Sequence, residues 1–205
     1  MIIIFDTETA GLPVNWNEPA SDGSNWPRMV QLAWQMYRDD GRKVSEHNYI
    51  IKPEGFEIPA VVSEINHITT ERALKEGFPA EYVLQMFGLS LLVADTIVAH
   101  NISFDERIVG SEFLRSNMGK YHDVLFEKER ICTMHSTTDF CDLIGPRGKK
   151  WPKLSELHEK LFGYGFEGAH DALVDVEALS RCYFELKKRC IIGGQVAVDV
   201  ASERA

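Results

Sequence analysis

The sequence predicts an α/β fold, a sheet covered by helices, on three observations. The chain opens on Ile2, Ile3, Ile4 and Phe5, and an apolar run without polar alternation reads as a short strand buried on both faces at the centre of a covered sheet. A hairpin follows, in which Met29 to Arg38 and Val44 to Ile51 flank the tight turn Asp39-Asp40-Gly41. Beyond residue 60, segments with apolar residues at helical spacing alternate with brief apolar runs.

The first strand carries into Asp6, Thr7 and Glu8. Side chains in a strand repeat every two residues, so Asp6 and Glu8 share a face and Thr7 turns the other way. Two carboxylates that close repel, so either one is protonated or cations hold both, and beside the turn Thr9-Ala10-Gly11 cations are favoured. Hard oxygen ligands suit Mg²⁺ or Mn²⁺. An isolated Asp-x-Glu pair is equally consistent with a strand running out into a solvated acidic turn, so the rest of the chain has to decide.

Pro13 to Pro27 is a loop rich in Asn, Ser, Gly and Pro that carries Trp16 and Trp26, and a connection of that length in a compact domain tends to be functional or disordered. In the hairpin strands Val30, Leu32, Trp34 and Met36 alternate with residues of the other face. Pro53, Gly55 and Pro59 then break the pattern ahead of two short helices, residues 60–66 and 70–76, the second capped by Thr69 or Thr70. A helix from Pro79 to about Val93 places Val83, Leu84, Phe87 and Leu91 on one face. Thr96 to Ala99 is a brief strand that ends at His100-Asn101, and a helix from about Ser103 to Asn117 puts Asp105 in its first turn, at a strand's carboxyl end where open sheets gather ligands. Glu129 to Cys132 reads as a strand, Met134 to Leu143 as a helix, and Gly145 to Lys153 as a basic loop around Trp151. A helix over Leu154 to Phe162 stops at Gly163. The last helix runs from about Asp171 to Cys190, and the tail from Gly193 to Ala205 is expected to be poorly ordered.

The bulk numbers set limits. With 205 residues, 44% of them hydrophobic, the chain can bury one sizeable core, and it shows no linker or internal repeat, so residues 1–192 are expected to form one domain. The formal charge of −9, from 31 acids and 22 bases, excludes a long-range field that collects nucleic acid indiscriminately, although a local basic patch can still act. The apolar start is too short for a signal peptide or membrane span, so a cytoplasmic protein with no membrane partner is expected. Cys132, Cys141, Cys182 and Cys190 have no metal-ligand or disulfide-frame spacing and are expected to be reduced thiols.

His170 and Asp175 would lie roughly 140° apart if both belonged to one regular helix at about 100° per residue. For both to face one site, His170 must precede the helix, which the loop of Gly163, Gly165 and Gly168 permits. Asp6-Thr-Glu8, His100-Asn101-Ile-Ser-Phe-Asp105 and His170-Asp171-Ala-Leu-Val-Asp175 then resemble, in order and spacing, the three exonuclease motifs of the DEDDh (DnaQ-like) 3′-to-5′ exonucleases. The best-known relative in that family is the proofreading epsilon subunit of bacterial DNA polymerase III. The segments Met29 to Trp34, Ile65 to Thr69 and Trp151 to Phe162 are also similar, so the resemblance covers the chain from Met1 to about Cys190.

The resemblance implies a ribonuclease H-like mixed five-stranded sheet with its first three strands antiparallel. It also implies two divalent cations, Mg²⁺ or Mn²⁺, with Asp6 bridging both, Glu8 and Asp175 completing their shells and Asp105 acting partly through water. His170 would take the proton from the attacking water, since a free imidazole titrates near about pH 6.5. The same resemblance offers Thr7, Thr9, Leu12, Asn101 and His170 as substrate contacts. It implies a nucleic-acid partner, most naturally a single-stranded or frayed DNA 3′ end, and is compatible with a polymerase or repair partner. One departure stands out: relatives commonly read His-Gly-Ile-Thr where this chain has Asn66-His67-Ile68-Thr69, which removes that glycine's backbone freedom.

The expected activity is release of nucleoside 5′-monophosphates from DNA. An exoribonuclease of the same superfamily, a non-catalytic nucleic-acid or polymerase-binding module and a metal-stabilised structural domain are the alternatives. Trp16 and Trp26 either stack on bases or pin their loop, and Arg147, Lys149, Lys150 and Lys153 either track phosphates or form a solvated loop. His47, His67, His122, His135 and His158 lack ligand spacing and are expected to be structural or exposed.

Overall fold

The computed structural model describes residues 1–192, and the expectation for the tail lies outside the described residues. A five-stranded sheet has the order β3-β2-β1-β4-β5, built from β1 (Ile2–Thr9), β2 (Met29–Tyr37), β3 (Lys43–Ile50), β4 (Thr96–Ala99) and β5 (Glu129–Cys132). Pairings β1 to β2 and β2 to β3 are antiparallel, whereas β1 to β4 and β4 to β5 are parallel. The mixed sheet is the one expected.

Helices cover both faces. In chain order they are α1 (Ala60–Asn66), α2 (Thr70–Glu76), α3 (Ala80–Val93), α4 (Ile102–Arg115), α5 (Gly119–Glu127), the single turns α6 (Thr133–Ser136) and α7 (Thr138–Cys141), α8 (Leu154–Phe162) and α9 (Ala172–Lys188). Ile3 and Phe5 of β1 join Trp34, Phe87, Ile97 and Phe113 in one core, on the side of α3 and α4. Ile2 and Ile4 join Val98, Leu157, Leu179 and Leu186 in the other, beneath α8 and α9. Ile3, Ile4 and Phe5 are wholly buried, each burial worth about 1.5–3 kcal/mol, so the opening run is the central strand its composition suggests.

β2 is buried along its whole length, because α9 covers its second face; there Gln35 accepts from Ser180 Oγ at 2.8 Å and Gln31 accepts from the Ala172 N–H at 3.2 Å. Three elements differ from expectation. α5 was not expected; it packs so closely on α3 that a Cβ on Gly88 would sit 2.6 Å from the Tyr121 ring. The segment expected as one helix over 134–143 is two turns, and the basic loop closes as a small hairpin, β6 (Ile144–Gly145) with β7 (Gly148–Lys149).

Candidate active site

Asp6 and Glu8 lie on the face of β1 that carries Ile2 and Ile4, towards α9. Thr7 points to the opposite face, where α4 delivers Asp105: the Thr7 hydroxyl and N–H both donate to Asp105 Oδ1, at 2.7 and 3.1 Å. The first turn of α9 approaches β2 through small residues, Ala172 and Val176 resting on Ala33, and Ala33 stands opposite Asp6 in the strand register. That close approach brings Asp175 to the site. α4 and α9 thus supply one acid each from the two sides of the sheet, at the end of β1 where the ladder is interrupted between Glu8 and Thr9.

His170 precedes α9, as the angular argument requires, in a left-handed conformation with φ 73°. Its N–H donates to Asp175 Oδ2 at 2.9 Å, and its exposed ring stands at the rim. Candidate ligand atoms of Glu8, His170 and Asp175 lie within 4.8 Å of one another. A cleft of about 420 Å³ has Asp6, Asp175, His170, His100, Lys153 and Phe166 among its lining residues. Two larger open grooves, of about 660 and 700 Å³, hold no histidine.

The electrostatics are those of acids crowded away from water. Burial first, then Asp105, Asp175, Glu8 and Asp171, hold the Asp6 carboxyl well above the usual carboxylate range. Burial and the neighbouring acids push Glu8 up to about 8. Asp105 rises to about 7 through burial, against the lowering pull of the Thr7 hydrogen bonds. Asp175 rises through burial as well, opposed by the His170 N–H. Among the described residues no Lys or Arg forms an ion pair with any of the four. A set of oxygen donors, desolvated, mutually repelling and lacking a protein counter-charge, fits a hard divalent cation.

The substrate-side expectations divide. The Thr7 hydroxyl is buried and donates to Asp105, which it holds in position. Thr9 is also buried, its hydroxyl closing the turn onto the Gly11 carbonyl at 2.7 Å. Leu12, by contrast, is 74% exposed. Asn101 adopts a left-handed conformation at the head of α4 and accepts from Ser103 Oγ at 3.2 Å. Trp26 is a pin, buried with its indole N–H on the Pro19 carbonyl at 3.0 Å, whereas Trp16 is 48% exposed with its ring on Phe104. In the basic hairpin Lys149 pairs with Asp139 and Asp142, and Lys150 with Glu156. Arg147 and Lys153 remain outside ion pairs among the described residues. His67 takes φ 59°, so the left-handed turn survives without glycine, at about 1–2 kcal/mol.

Sequence reasoning passed over several contributors. Gln31 holds the start of α9, and Asp171 caps that helix through the Leu173 N–H at 3.0 Å. His100 is half-buried, its Nε2 2.9 Å from the Pro152 carbonyl and its Nδ1 2.9 Å from Thr133 Oγ1. A carbonyl only accepts, so Nε2 carries the proton; burial drives the ring's pKa down to about 4 and keeps it neutral. This contact fastens the Pro152-Lys153 segment to the cleft. A glutamine inside an apolar strand is the signal that could have marked Gln31.

A helix-covered mixed sheet with four acids and an imidazole gathered at the end of its central strand defines a nuclease-type domain. The chain belongs to the RNase_T exonuclease family, whose model matches residues 3–183. It is 26% identical over 182 residues to the PolC-type DNA polymerase III of Mycoplasmopsis pulmonis (strain UAB CTIP), an alignment over 88% of this chain and 11% of that protein. Its fold is similar to that of E. coli exonuclease I. The zinc-bound complex of that enzyme with single-stranded DNA matches at a TM-score of 0.68 and 22% identity, over 92% of this chain and 40% of that one. A complex with a dA16 oligonucleotide matches at a TM-score of 0.70 and 19% identity, over 92% and 41%. The chain therefore spans about a tenth of the polymerase and two-fifths of exonuclease I.

Proposed function

We propose that this protein hydrolyses DNA from its 3′ end and releases nucleoside 5′-monophosphates, with a pair of divalent cations, Mg²⁺ or Mn²⁺, held by Asp6, Glu8, Asp105 and Asp175. The carrying observation is the convergence of four carboxylates from three distant stretches, with no Lys or Arg among the described residues paired to them and His170 at the rim. Bound there, the cations would supply the positive charge that activates an attacking water and stabilises the leaving 3′-oxygen.

The chain's own groups do the rest. His170 accepts the proton of the attacking water at its ring nitrogen, and its backbone N–H tethers it to Asp175 so that base and carboxylate move together. Thr7 fixes Asp105. The water oxygen bonds to phosphorus as the bond from phosphorus to the 3′-oxygen breaks. Leu12 and the exposed ring of Trp16 offer an apolar surface to unpaired bases, and Lys153 in the cleft offers positive charge to the phosphodiester. DNA is favoured over RNA because the structurally similar exonuclease I is seen in complex with single-stranded DNA and the relative in sequence is a DNA polymerase.

The test is incubation with 5′-labelled single-stranded DNA, mismatched duplex and RNA, with Mg²⁺, Mn²⁺ or chelator. A metal-dependent ladder that shortens from the 3′ end, faster on DNA, is expected and should vanish in Asp6→Asn. Shortening from the 5′ end, internal cuts or intact substrate would overturn the reading.

A further inference from the structure

The main chain on both sides of Trp151 is held. The Lys150 N–H donates to the Leu143 carbonyl at 2.9 Å, the Pro152 carbonyl accepts from His100 Nε2 at 2.9 Å, and the Lys153 N–H donates to Glu156 Oε2 at 2.8 Å. Pro152 is itself buried. Between these anchors Trp151 is 63% exposed, with the His135 imidazole against its ring at 5.0 Å between centroids. The exposure therefore does not come from a loose loop, because a fixed backbone holds the ring out into solvent.

A single exposed apolar side chain is ordinary on a protein surface, but the position of this one is not. Lys153, Leu154 and Ser155 line the cleft together with Asp6 and His170, and so does His100, which grips Pro152. Trp151 stands just outside that lining, where the strand beyond its terminal nucleotide would pass. Lys153 is exposed and outside the ion pairs that occupy Lys149 and Lys150. Two residues of chain span at most about 7 Å, so ring and ammonium can meet a base and a phosphate of one strand. Positive charge along the backbone with an aromatic face for the bases is how single strands are bound. A paired base is already stacked on its neighbours, so such a face selects unpaired ones.

We propose that Trp151 is a stacking platform for an unpaired base on the 5′ side of the terminal nucleotide, with Lys153 on the phosphate beside it. The proposal rests on the nuclease reading of the cleft and adds a second subsite to it.

The experiment compares the full chain with Trp151→Ala and Trp151→Phe on two probes. A 5′-fluorescein single-stranded oligothymidylate in EDTA gives Kd by anisotropy, without cleavage. The p-nitrophenyl ester of thymidine 5′-monophosphate, with Mn²⁺, gives turnover of a substrate that has no base on the 5′ side. Trp151→Ala should weaken oligonucleotide binding about 5- to 150-fold, the equivalent of about 1–3 kcal/mol for one base stack. Trp151→Phe should keep most of the affinity, and both variants should turn over the ester like the unaltered chain. Single abasic nucleotides stepped back from the 3′ end should include one position that weakens the unaltered chain by a similar factor and leaves Trp151→Ala unaffected. An unchanged Kd in Trp151→Ala overturns the proposal. So does an equal loss on the ester, which marks a general disturbance of the cleft. Should Trp151→Ala fail to fold, Trp151→Leu, which keeps bulk without an aromatic face, decides by the same readings. If the unaltered chain leaves both ester and oligonucleotide intact with Mn²⁺, the nuclease reading itself fails; if it cleaves both and Trp151→Ala binds the oligonucleotide normally, only the Trp151 proposal fails.

Discussion

Asp105→Asn should stabilise the chelated protein while abolishing its activity. The substitution keeps an Oδ1 to accept from Thr7 and removes a charge buried at 3% exposure. Below 3.8, its ordinary value, Asp105 is protonated in both folded and unfolded chains and its titration has no effect. Between 3.8 and about 7 only the unfolded chain gives up the proton, so stability falls as pH rises, and above about 7 the loss is complete. A shift of that size amounts to about 4 kcal/mol at pH 8 and about 1 kcal/mol at pH 4.5. For a domain of this size each kcal/mol moves Tm by about 2–4 °C, so in EDTA the variant should melt about 8–16 °C higher at pH 8 and only about 2–4 °C higher at pH 4.5. Scanning calorimetry across that pH range in chelator measures it. A variant that melts lower at pH 8, or whose advantage grows towards pH 4.5, would refute the picture of Asp105 as a charge the fold tolerates only for function.

Three further outcomes follow from the same geometry. His170→Ala should lower kcat about 10²- to 10⁴-fold with Mn²⁺ affinity in calorimetry preserved; a lost affinity would instead place the imidazole among the ligands with Glu8 and Asp175. Trp26→Ala should destabilise by about 3–5 kcal/mol in denaturant unfolding, whereas Trp16→Ala should leave stability unchanged and weaken single-stranded DNA binding by about 1–3 kcal/mol in fluorescence titration. Arg115→Ala strips Glu112 of one of its two arginines and frees the carbonyls of Gly23 and Trp26, each accepting at 2.6 Å, so it should cost about 3 kcal/mol, seen as a Tm lower by about 6–12 °C.

The central strand was legible because four consecutive apolar residues have few other places to go, and the pairing of Asp6 with Glu8 follows from the two-residue repeat alone. The placement of His170 ahead of α9 was legible too, from the turn angle that separates it from Asp175. What the sequence hid was burial decided elsewhere. Gln31 and Gln35 are buried polar side chains in β2 whose amide groups donate to Asn48 and Glu46 of β3 and whose carbonyls accept from α9, about 140 residues later. α5 has a single fully buried apolar residue, Leu125, too few for a helical period to show. Lys149 and Lys150 looked like free charge because their acidic partners lie in neighbouring turns. The pairing of Thr7 with Asp105 was hidden as well, because the two are 98 residues apart.

The convergence of carboxylates is tested most directly by counting protons released when Mn²⁺ binds, through calorimetry in buffers of different ionisation enthalpy at pH 6.5. With Glu8 near 8 and Asp105 near 7 in the cation-free protein, binding should expel about one to two protons per chain, fewer at pH 9, and Asp6→Asn should bind far more weakly. Binding with no proton release at pH 6.5, or undiminished binding in Asp6→Asn, would contradict it.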